Sequence, residues 1–317
     1  MDLSNSEPTR CAILIGVGMT ISKRIKDSNT PITNMSLQGA INDVQAMETY
    51  LESRPFTIST TILSATKSKD SPLKSIESPD QLPTPENVIL AFQKVLKTCH
   101  PNDHVYIHYS GHGICRSMDG AVALELINSS TMEPEYFYGT ILRSAINKMI
   151  GKGLTVTLVL DCCFSGSVLR DDRPDVGDVR YLEHDQDDHN SFNNPFEDSD
   201  PDSLRDGVIT LSRLLDPEGY TIITACGPDE VASELKFEDG ATRGALSYFL
   251  INSLILLSRR SAKVSNEMLH QHLRAQFHAR LPDQTQCSMV IEVSGSLETF
   301  RTLLGIQEFL HYLCIGA

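Results

Sequence analysis

Two short glycine-containing segments combine residue types that can carry out nucleophilic chemistry. The first, Ser110 to Gly113 (SGHG), follows the apolar run HVYIHY, and the second, Asp161 to Gly166 (DCCFSG), follows the apolar run LTVTLVL. A cysteine thiolate attacks carbonyl carbon atoms, and an imidazole protonates the group that leaves. His112 and Cys163 are 51 residues apart, so they can meet only through folding. A third residue that would orient the imidazole is not evident.

The choice between Cys162 and Cys163 depends on the alternation of side chains along a strand. In an extended strand, positions i and i+2 share a face, which places Ser110 beside His112 and Asp161 beside Cys163. Cys162 then points to the opposite face, where it packs. A turn that begins one residue earlier would reverse this assignment. The alternation therefore favours Cys163 as the nucleophile and His112 as its acid and base.

The oxyanion that forms during attack on a carbonyl needs hydrogen-bond donors. Backbone N–H groups supply them where small residues let the chain approach a substrate closely. The N–H groups of Gly113 and Cys163 are the predicted donors.

Strands and helices alternate along the part of the chain that must position these residues. Short apolar runs bounded by glycine or polar residues predict strands at 11–17, 57–63, 104–110, 121–127, 154–161 and 220–226, with another candidate at 289–293. Helical spacing of apolar residues predicts helices near 40–51, 85–98, 141–150, 243–258 and 265–278. Thr84 is the predicted N-cap of the helix that begins at Pro85.

This alternation predicts a three-layer α/β/α sandwich with a central, mostly parallel sheet. In such folds, reactive groups gather at the carboxyl ends of the strands. The segments of His112 and Cys163 both lie at such ends.

Composition argues against several classes of function. The chain has 317 residues and is 40% hydrophobic, which suffices for a large core. A net charge of −14 argues against nucleic-acid binding, because phosphate recognition depends on lysine and arginine. No run approaches the ~18 to 20 apolar residues of a membrane span, and the polar start lacks a signal-peptide pattern. Eight cysteines without a C-x-x-C pair are typical of a reducing compartment, so a cytoplasmic location is predicted.

Much of the negative charge lies in one stretch. Residues 171–206 hold 13 Asp or Glu against 3 Arg, a net of −10, with no apolar periodicity. This stretch is predicted to be a solvated, largely disordered insertion. Leucines in 296–317 predict a packed terminal helix.

The motifs H-Y-S-G-H-G and D-C-C-F-S-G-S, with their His-to-Cys spacing, resemble those of the caspase-fold family and, more narrowly, of the metacaspases of plants, fungi and protists. The similarity covers about residues 10–293 and includes the segments LQGAIND at 37–43 and TACGPDE at 224–230. The resemblance implies a caspase-like peptidase domain over residues 11–295. A flexible N-terminus, 1–10, would precede it and the tail, 296–317, would follow.

The resemblance also implies roles for individual residues. His112 and Cys163 match the catalytic dyad of the family, while Asp43, Ser110 and Asp161 match residues that line its S1 pocket. An acidic pocket selects Arg or Lys at P1, because a buried carboxylate needs a cationic partner. The implied substrates are therefore proteins or peptides cleaved after basic residues. The aspartate preference of animal caspases is the lesser alternative.

Two positions depart from the family pattern. Phe164 stands where metacaspases usually have a histidine directly after the catalytic cysteine. Arg170 stands where some members have an acidic calcium ligand, so calcium activation is poorly supported even though Asp171 and Asp172 are adjacent. No cofactor and no metal site are predicted. These departures leave open a second class of function, a catalytically silent caspase-like adaptor or effector in cell-death signalling.

The acidic insertion has two interpretations. It is either a plain solvated loop or a processing linker, because disordered segments are readily cut and arginines suit the implied specificity. The candidate cleavage positions are Arg170, Arg173, Arg180 and Arg205. The resemblance further implies a role in regulated cell death or stress responses.

Overall fold

A computed structural model describes residues 8–21, 36–71, 73–116, 119–164, 194–196, 214, 219–225, 232, 234–238, 240–259 and 266–280. The strands in chain order are β1 (Arg10–Val17), β2 (Ile58–Ala65), β3 (His104–Ser110), β4 (Gly113–Cys115), β5 (Val122–Ile127), β6 (Pro134–Tyr138), β7 (Thr155–Asp161), β8 (Thr221–Thr224), β9 (Glu234–Lys236) and β10 (Thr242–Gly244). The helices are α1 (Gln38–Glu52), α2 (Pro85–Thr98), α3 (Gly139–Gly151), α4 (Ala245–Arg259) and α5 (Asn266–Arg280).

The central sheet has five parallel strands in the order β2-β1-β3-β7-β8. All residues of β1 and β3 are buried, and so is every residue of β7 after its first. Near-continuous apolar runs form such strands because both faces of a parallel sheet are covered. The sheet therefore ends in a single carboxyl edge, from which the loops of β1, β3 and β7 emerge.

Two layers cover the sheet. One, the α2 layer, contains α2, α3 and the antiparallel sheet β4-β5-β6, and it shares a core with the odd-numbered residues of β1, such as Ile13 and Ile15. The other, the α1 layer, contains α1, α4 and α5, and it packs on Ala12 and Leu14. The hairpin of β9 and β10 leads directly into α4.

The predicted three-layer α/β/α sandwich is confirmed, with its central parallel sheet. Thr84 caps α2 as predicted, since its hydroxyl accepts a hydrogen bond from the N–H of Asn87 at 3.2 Å. The short strands β4, β6, β9 and β10 were not predicted, because runs of three to five residues give no clear alternation. The candidate strand at 289–293 and the tail helix lie outside the described residues.

Within the acidic stretch 171–206, the structure describes residues 194–196. Phe196 is buried, and its ring centroid lies 6.3 Å from that of Phe92 in α2. Asn194 donates from its side-chain amide to the hydroxyl of Ser144 at 3.0 Å. The sequence analysis did not anticipate these contacts with the α2 layer.

Among the described helices, none combines the length and the apolar character that crossing a membrane requires.

Candidate active site

The strands that precede the two glycine-containing segments lie side by side and end at the same level. β3 pairs with β7, and their last residues, Ser110 and Asp161, are partners in the register. The N–H of Gly111 reaches the carbonyl oxygen of Asp161 at 3.4 Å. The sheet therefore brings the segments of His112 and Cys163 together at its carboxyl edge, as their positions after two strands predicted.

Gly113 lies directly against Cys163. A Cβ on residue 113 would lie 2.4 Å from the carbonyl oxygen of Cys163 and 3.0 Å from the ring of Phe164. Only glycine leaves room for this approach. His112 precedes Gly113 and is 2% exposed, while Cys163 has no exposed area. Gly113, the residue after His112, thus lies against the backbone of Cys163, and both predicted reacting residues are buried.

The three residues after Asp161 alternate between the two layers. Cys162 and Phe164 pack in the core of the α2 layer, whereas Cys163 packs in that of the α1 layer. Tyr106 of β3 also belongs to the α1 layer, which places the even-numbered residues of β3 on the side of Cys163. The strand itself ends at Asp161, but the side chains keep alternating between the two layers, so Cys163 and not Cys162 lies on the face of Tyr106.

Tyr109 holds the backbone of His112. Its hydroxyl lies 2.7 Å from the carbonyl oxygen of His112 and 2.8 Å from that of Glu125, so its one proton is shared between these two acceptors. The N–H of Glu125 adds a bond to the His112 carbonyl at 3.1 Å. A Cβ on Gly111 would lie 2.5 Å from the Tyr109 hydroxyl. The glycines on either side of His112 are therefore both required by close contacts.

Asp43, in the first turns of α1, is fully buried at the same edge of the sheet. Its carboxylate accepts from the hydroxyl of Ser110 at 2.7 Å. Both carboxylate oxygens also lie 3.1 Å from the N–H of Gly244. Asn42 strengthens the same contact by donating to the carbonyl of Thr242 at 2.7 Å.

Asp161 is also fully buried and is bound by α4. One carboxylate oxygen accepts from the N–H of Ser247 at 2.8 Å and from its hydroxyl at 2.6 Å. Gly244 immediately precedes α4, and Ser247 lies in its first turn. Two carboxylates from different elements therefore converge on one helix N-terminus, where unpaired N–H groups and the helix dipole stabilise negative charge.

A sequence profile of the metacaspase, peptidase C14 domain family matches residues 10–172, about half of the chain. The chain belongs to the metacaspase family. Metacaspases are cysteine-type peptidases, and the profile covers both the segment of His112 and that of Cys163.

Individual metacaspases are similar to this chain at low identity. Metacaspase-1 of Ajellomyces capsulatus is 29% identical over 173 residues, which cover 52% of this chain and 43% of that protein. Metacaspase-1B of Neosartorya fischeri is 24% identical over 289 residues, covering 80% and 64%. Metacaspase-2 of Arabidopsis thaliana is 23% identical over 301 residues, covering 93% and 62%. The chain spans less than two thirds of the length of each of these relatives.

A crystal structure of a Geobacter sulfurreducens protein shares the fold. It has a TM-score of 0.53 and 15% sequence identity, and the similarity covers 91% of this chain and 94% of that protein. The metacaspase fold described above is thus also found in a protein of very different sequence.

Glu125 is an unusual feature of this metacaspase because it is a fully buried carboxyl group beside the candidate site. Gly113 pairs with Leu124 in the antiparallel sheet, so the next pair in that register is His112 with Glu125. Burial raises the pKa of Glu125 to about 8, and the nearby hydroxyl of Thr20 offsets this only in part. Among the described residues, none makes a hydrogen bond of ordinary length and angle to either carboxyl oxygen of Glu125. Glu125 therefore retains its proton over much of the neutral range.

Sequence reasoning named His112, Cys163, Asp43, Ser110 and Asp161, and the structure brings their segments to one sheet edge. Sequence reasoning missed a second group of residues, which bind the first group and hold it in place. Tyr109 lies within the H-Y-S-G-H-G motif, so its position three residues before the histidine was a usable signal. The donors from the start of α4 had no such signal, because their contacts span up to 201 residues of chain. The missed residues are Tyr109, Glu125, Gly244 and Ser247.

The described residues contain no group of three or more His, Cys, Asp or Glu side chains that could hold a metal ion. Arg170, Asp171 and Asp172, on which the calcium argument depends, lie outside the described residues.

Proposed function

We propose that this metacaspase is a cysteine endopeptidase in which Cys163 is the nucleophile and His112 is the general acid and base. The observation that carries the proposal is the contact between Gly113 and the carbonyl of Cys163, at the ends of two paired strands. It places the residue that follows His112 against the backbone of Cys163. Their burial removes water from the site, which strengthens electrostatic interactions with a reacting group.

The proposed reaction passes through an acyl-enzyme. His112 takes the proton of the Cys163 thiol, and the thiolate attacks the peptide carbonyl carbon. Backbone N–H groups of Gly113 and Cys163 stabilise the resulting oxyanion. His112 then gives its proton to the leaving amine, and a water molecule that His112 deprotonates hydrolyses the thioester.

The proposed cleavage position follows arginine or lysine. Asp43 and Asp161 place two buried carboxyl groups at this edge of the sheet, and Ser110 donates a hydrogen bond to Asp43. A cationic P1 side chain is the partner that buried carboxylates favour. Proteins or peptides with a basic P1 residue are the proposed substrates.

Phe164 gives no support to the alternative of a silent adaptor. Its side chain packs in the core of the α2 layer, on the opposite side of the chain from Cys163. A substitution of the usual histidine at this position therefore leaves the reacting groups in place. An adaptor or effector role remains the competing function that the experiment below must exclude.

The burial of Cys163 supports the proposal of a zymogen. Cys163 has no exposed area, so a peptide reaches it only after neighbouring segments have moved. Cleavage of the acidic stretch 171–206 by the enzyme itself is the proposed activating step, with Arg170, Arg173, Arg180 and Arg205 as candidates. The proposed setting is the cytoplasm, in regulated cell death or a stress response. Self-cleavage, the cytoplasmic location and the biological role are proposed from the sequence and from the family of the chain.

The test compares wild-type protein with Cys163→Ala and Cys162→Ala variants. Peptides with Arg, Lys or Asp at P1 are assayed with and without calcium, and intact mass is followed to detect self-cleavage. Wild type and Cys162→Ala should cleave the Arg and Lys peptides, whereas Cys163→Ala should not. Removal of the nucleophile lowers the rate by several orders of magnitude in related thiol and serine enzymes.

Two results would overturn the proposal. Activity that survives in Cys163→Ala but is lost in Cys162→Ala would assign the nucleophile to Cys162. Folded wild-type protein that is cleaved within 171–206 and still turns over no peptide would identify an adaptor.

A further inference from the structure

A row of buried polar side chains connects the interior of the sheet to Asp161. The hydroxyl of Tyr106 lies 3.0 Å from Nδ1 of His108, and Nε2 of His108 lies 3.1 Å from the hydroxyl of Ser247. That hydroxyl lies 2.6 Å from Oδ2 of Asp161. Tyr106 is 1% exposed and the others have no exposed area. We call Tyr106, His108 and Ser247 the donor chain.

The direction of each hydrogen bond follows from what each group can donate. An ionised carboxylate only accepts, so the Ser247 hydroxyl proton points at Asp161. The Ser247 oxygen then accepts from Nε2–H of His108, which leaves Nδ1 as an acceptor for the Tyr106 hydroxyl. Burial, and secondly the neighbouring Tyr50, raise the pKa of Tyr106, so this hydroxyl keeps its proton. All three bonds of the donor chain therefore point toward Asp161.

Ser247 holds Asp161 through two different atoms. Besides its hydroxyl, its backbone N–H donates to the same carboxylate oxygen at 2.8 Å. The backbone donor belongs to the first turn of α4, whose position is set by the packing of Leu246 and Phe249 in the α1 layer. A buried chain of aligned hydrogen bonds is also stronger than its separate members, because each bond polarises the next.

We propose that His108 and Ser247 are positioning residues that set the charge preference of the site. They hold the Asp161 carboxylate in one orientation, because neutral donors satisfy a buried carboxylate without cancelling its charge. The full charge then remains available to attract a guanidinium or ammonium group of the substrate. The inference rests on the proposed function, since it assigns Asp161 to the binding of a basic P1 side chain.

The test measures discrimination between two peptides that differ only in charge at P1, one with arginine and one with citrulline, its neutral isostere. The variants are Ser247→Ala, His108→Leu and His108→Gln, whose amide can still donate to Ser247. The matched control is Ser253→Ala, because Ser253 is an equally buried serine of α4 that bonds His272 at 3.0 Å and Gln276 at 2.7 Å.

Ser247→Ala and His108→Leu should lower the ratio of kcat/KM for arginine over citrulline by roughly ten- to hundred-fold, the loss expected for a charge-assisted hydrogen bond. The loss should lie in KM for the arginine peptide, with kcat much less affected. His108→Gln should recover part of the ratio, and Ser253→Ala should keep it. Thermal melting of each variant confirms that it is folded.

Three outcomes would overturn the inference. If a folded Ser247→Ala variant keeps the wild-type ratio of kcat/KM for arginine over citrulline, the donor chain does not affect substrate preference. The proposed preference for a basic P1 residue would still stand. An equal loss of the arginine-to-citrulline ratio in Ser247→Ala and Ser253→Ala would show that the effect comes from destabilising α4 and not from the hydrogen bond to Asp161. Wild-type protein that does not prefer arginine to citrulline would refute the proposed specificity itself, and the inference with it.

Discussion

The hydroxyl of Tyr109 donates to the backbone carbonyl of His112 over 2.7 Å, so the position of the candidate catalytic imidazole depends on a tyrosine three residues earlier. Tyr109→Phe keeps the ring but leaves two buried carbonyl oxygens without this donor. The free energy of unfolding should fall by about 1 to 3 kcal/mol, and kcat should fall roughly ten-fold or more as His112 is released. Denaturant unfolding and peptide turnover measure the two effects.

Tyr138→Phe is the control for that substitution, because Tyr138 is partly exposed at the end of β6 and the change keeps the ring that faces Arg116. It should leave both stability and turnover near wild-type values. Equal turnover in the two variants would show that the Tyr109 hydroxyl does not position His112.

Gly113 tolerates no side chain where it passes Cys163. In Gly113→Ala, the new Cβ would lie 2.4 Å from the Cys163 carbonyl oxygen, which forces the two segments apart. A displacement near 1 Å should lower kcat about a hundred-fold, and overpacking should cost about 1 to 3 kcal/mol of stability. Gly151→Ala is the control, since a Cβ there meets nothing within 4 Å. Wild-type turnover in Gly113→Ala would contradict the close contact.

Much of the fold could be predicted from the sequence because its central strands are continuous apolar runs with clear boundaries. The prediction for β3 had the observed bounds, 104–110, and that for β7 began one residue early. The pairing of β4 with β5, which places Glu125 beside His112, could not be predicted. A three-residue strand takes its structure from its partner, and tertiary pairing of that kind leaves no local pattern.

The sequence pointed to the candidate site residues more readily than to the residues that bind them. Asp43 and Asp161 stand in recognisable motifs, whereas Ser247 lies on an apolar helix where a buried serine is an ordinary packing residue. Its role becomes visible only when α4 docks against the ends of β3 and β7.

Glu125 should make the stability of the protein depend on pH. Its pKa is 4.5 in an ordinary environment and about 8 in the folded protein. Between these values the unfolded chain has released the proton and the folded protein has not, so raising the pH favours unfolding. The free energy of unfolding should therefore fall as pH rises from about 4.5 to about 8, by at most ~1.4 kcal/mol per pH unit. Above about 8 this contribution should level off.

Glu125→Gln removes the titrating proton and should flatten that dependence, as measured by denaturant unfolding at a series of pH values. Identical slopes for wild type and Glu125→Gln would mean that Glu125 is ionised in the folded protein.

Phe164 should contribute more to stability than to catalysis, although its ring lies beside Gly113. Its ring is 2% exposed in the core of the α2 layer, so Phe164→Leu should lower the free energy of unfolding by about 1 kcal/mol. Peptide turnover should stay within roughly five-fold of wild type, because Cys163 packs on the opposite side. Phe92→Leu, in the same core, is the control for stability. A hundred-fold loss of turnover in Phe164→Leu alone would contradict this assignment.

Asp43 and Asp161 both accept hydrogen bonds from the start of α4, so the two halves of the chain contribute different parts of the candidate site. The thiol, the imidazole and both carboxylates are encoded before residue 165, within the span that the family profile matches, whereas Gly244 and Ser247 come 201 and 86 residues after their respective partners. A fragment ending near residue 172 would keep its reactive groups and lose the donors that steady their charges. If the proposed function holds, changes around the start of α4 would alter the substrate preference of the enzyme and leave Cys163 and His112 unchanged.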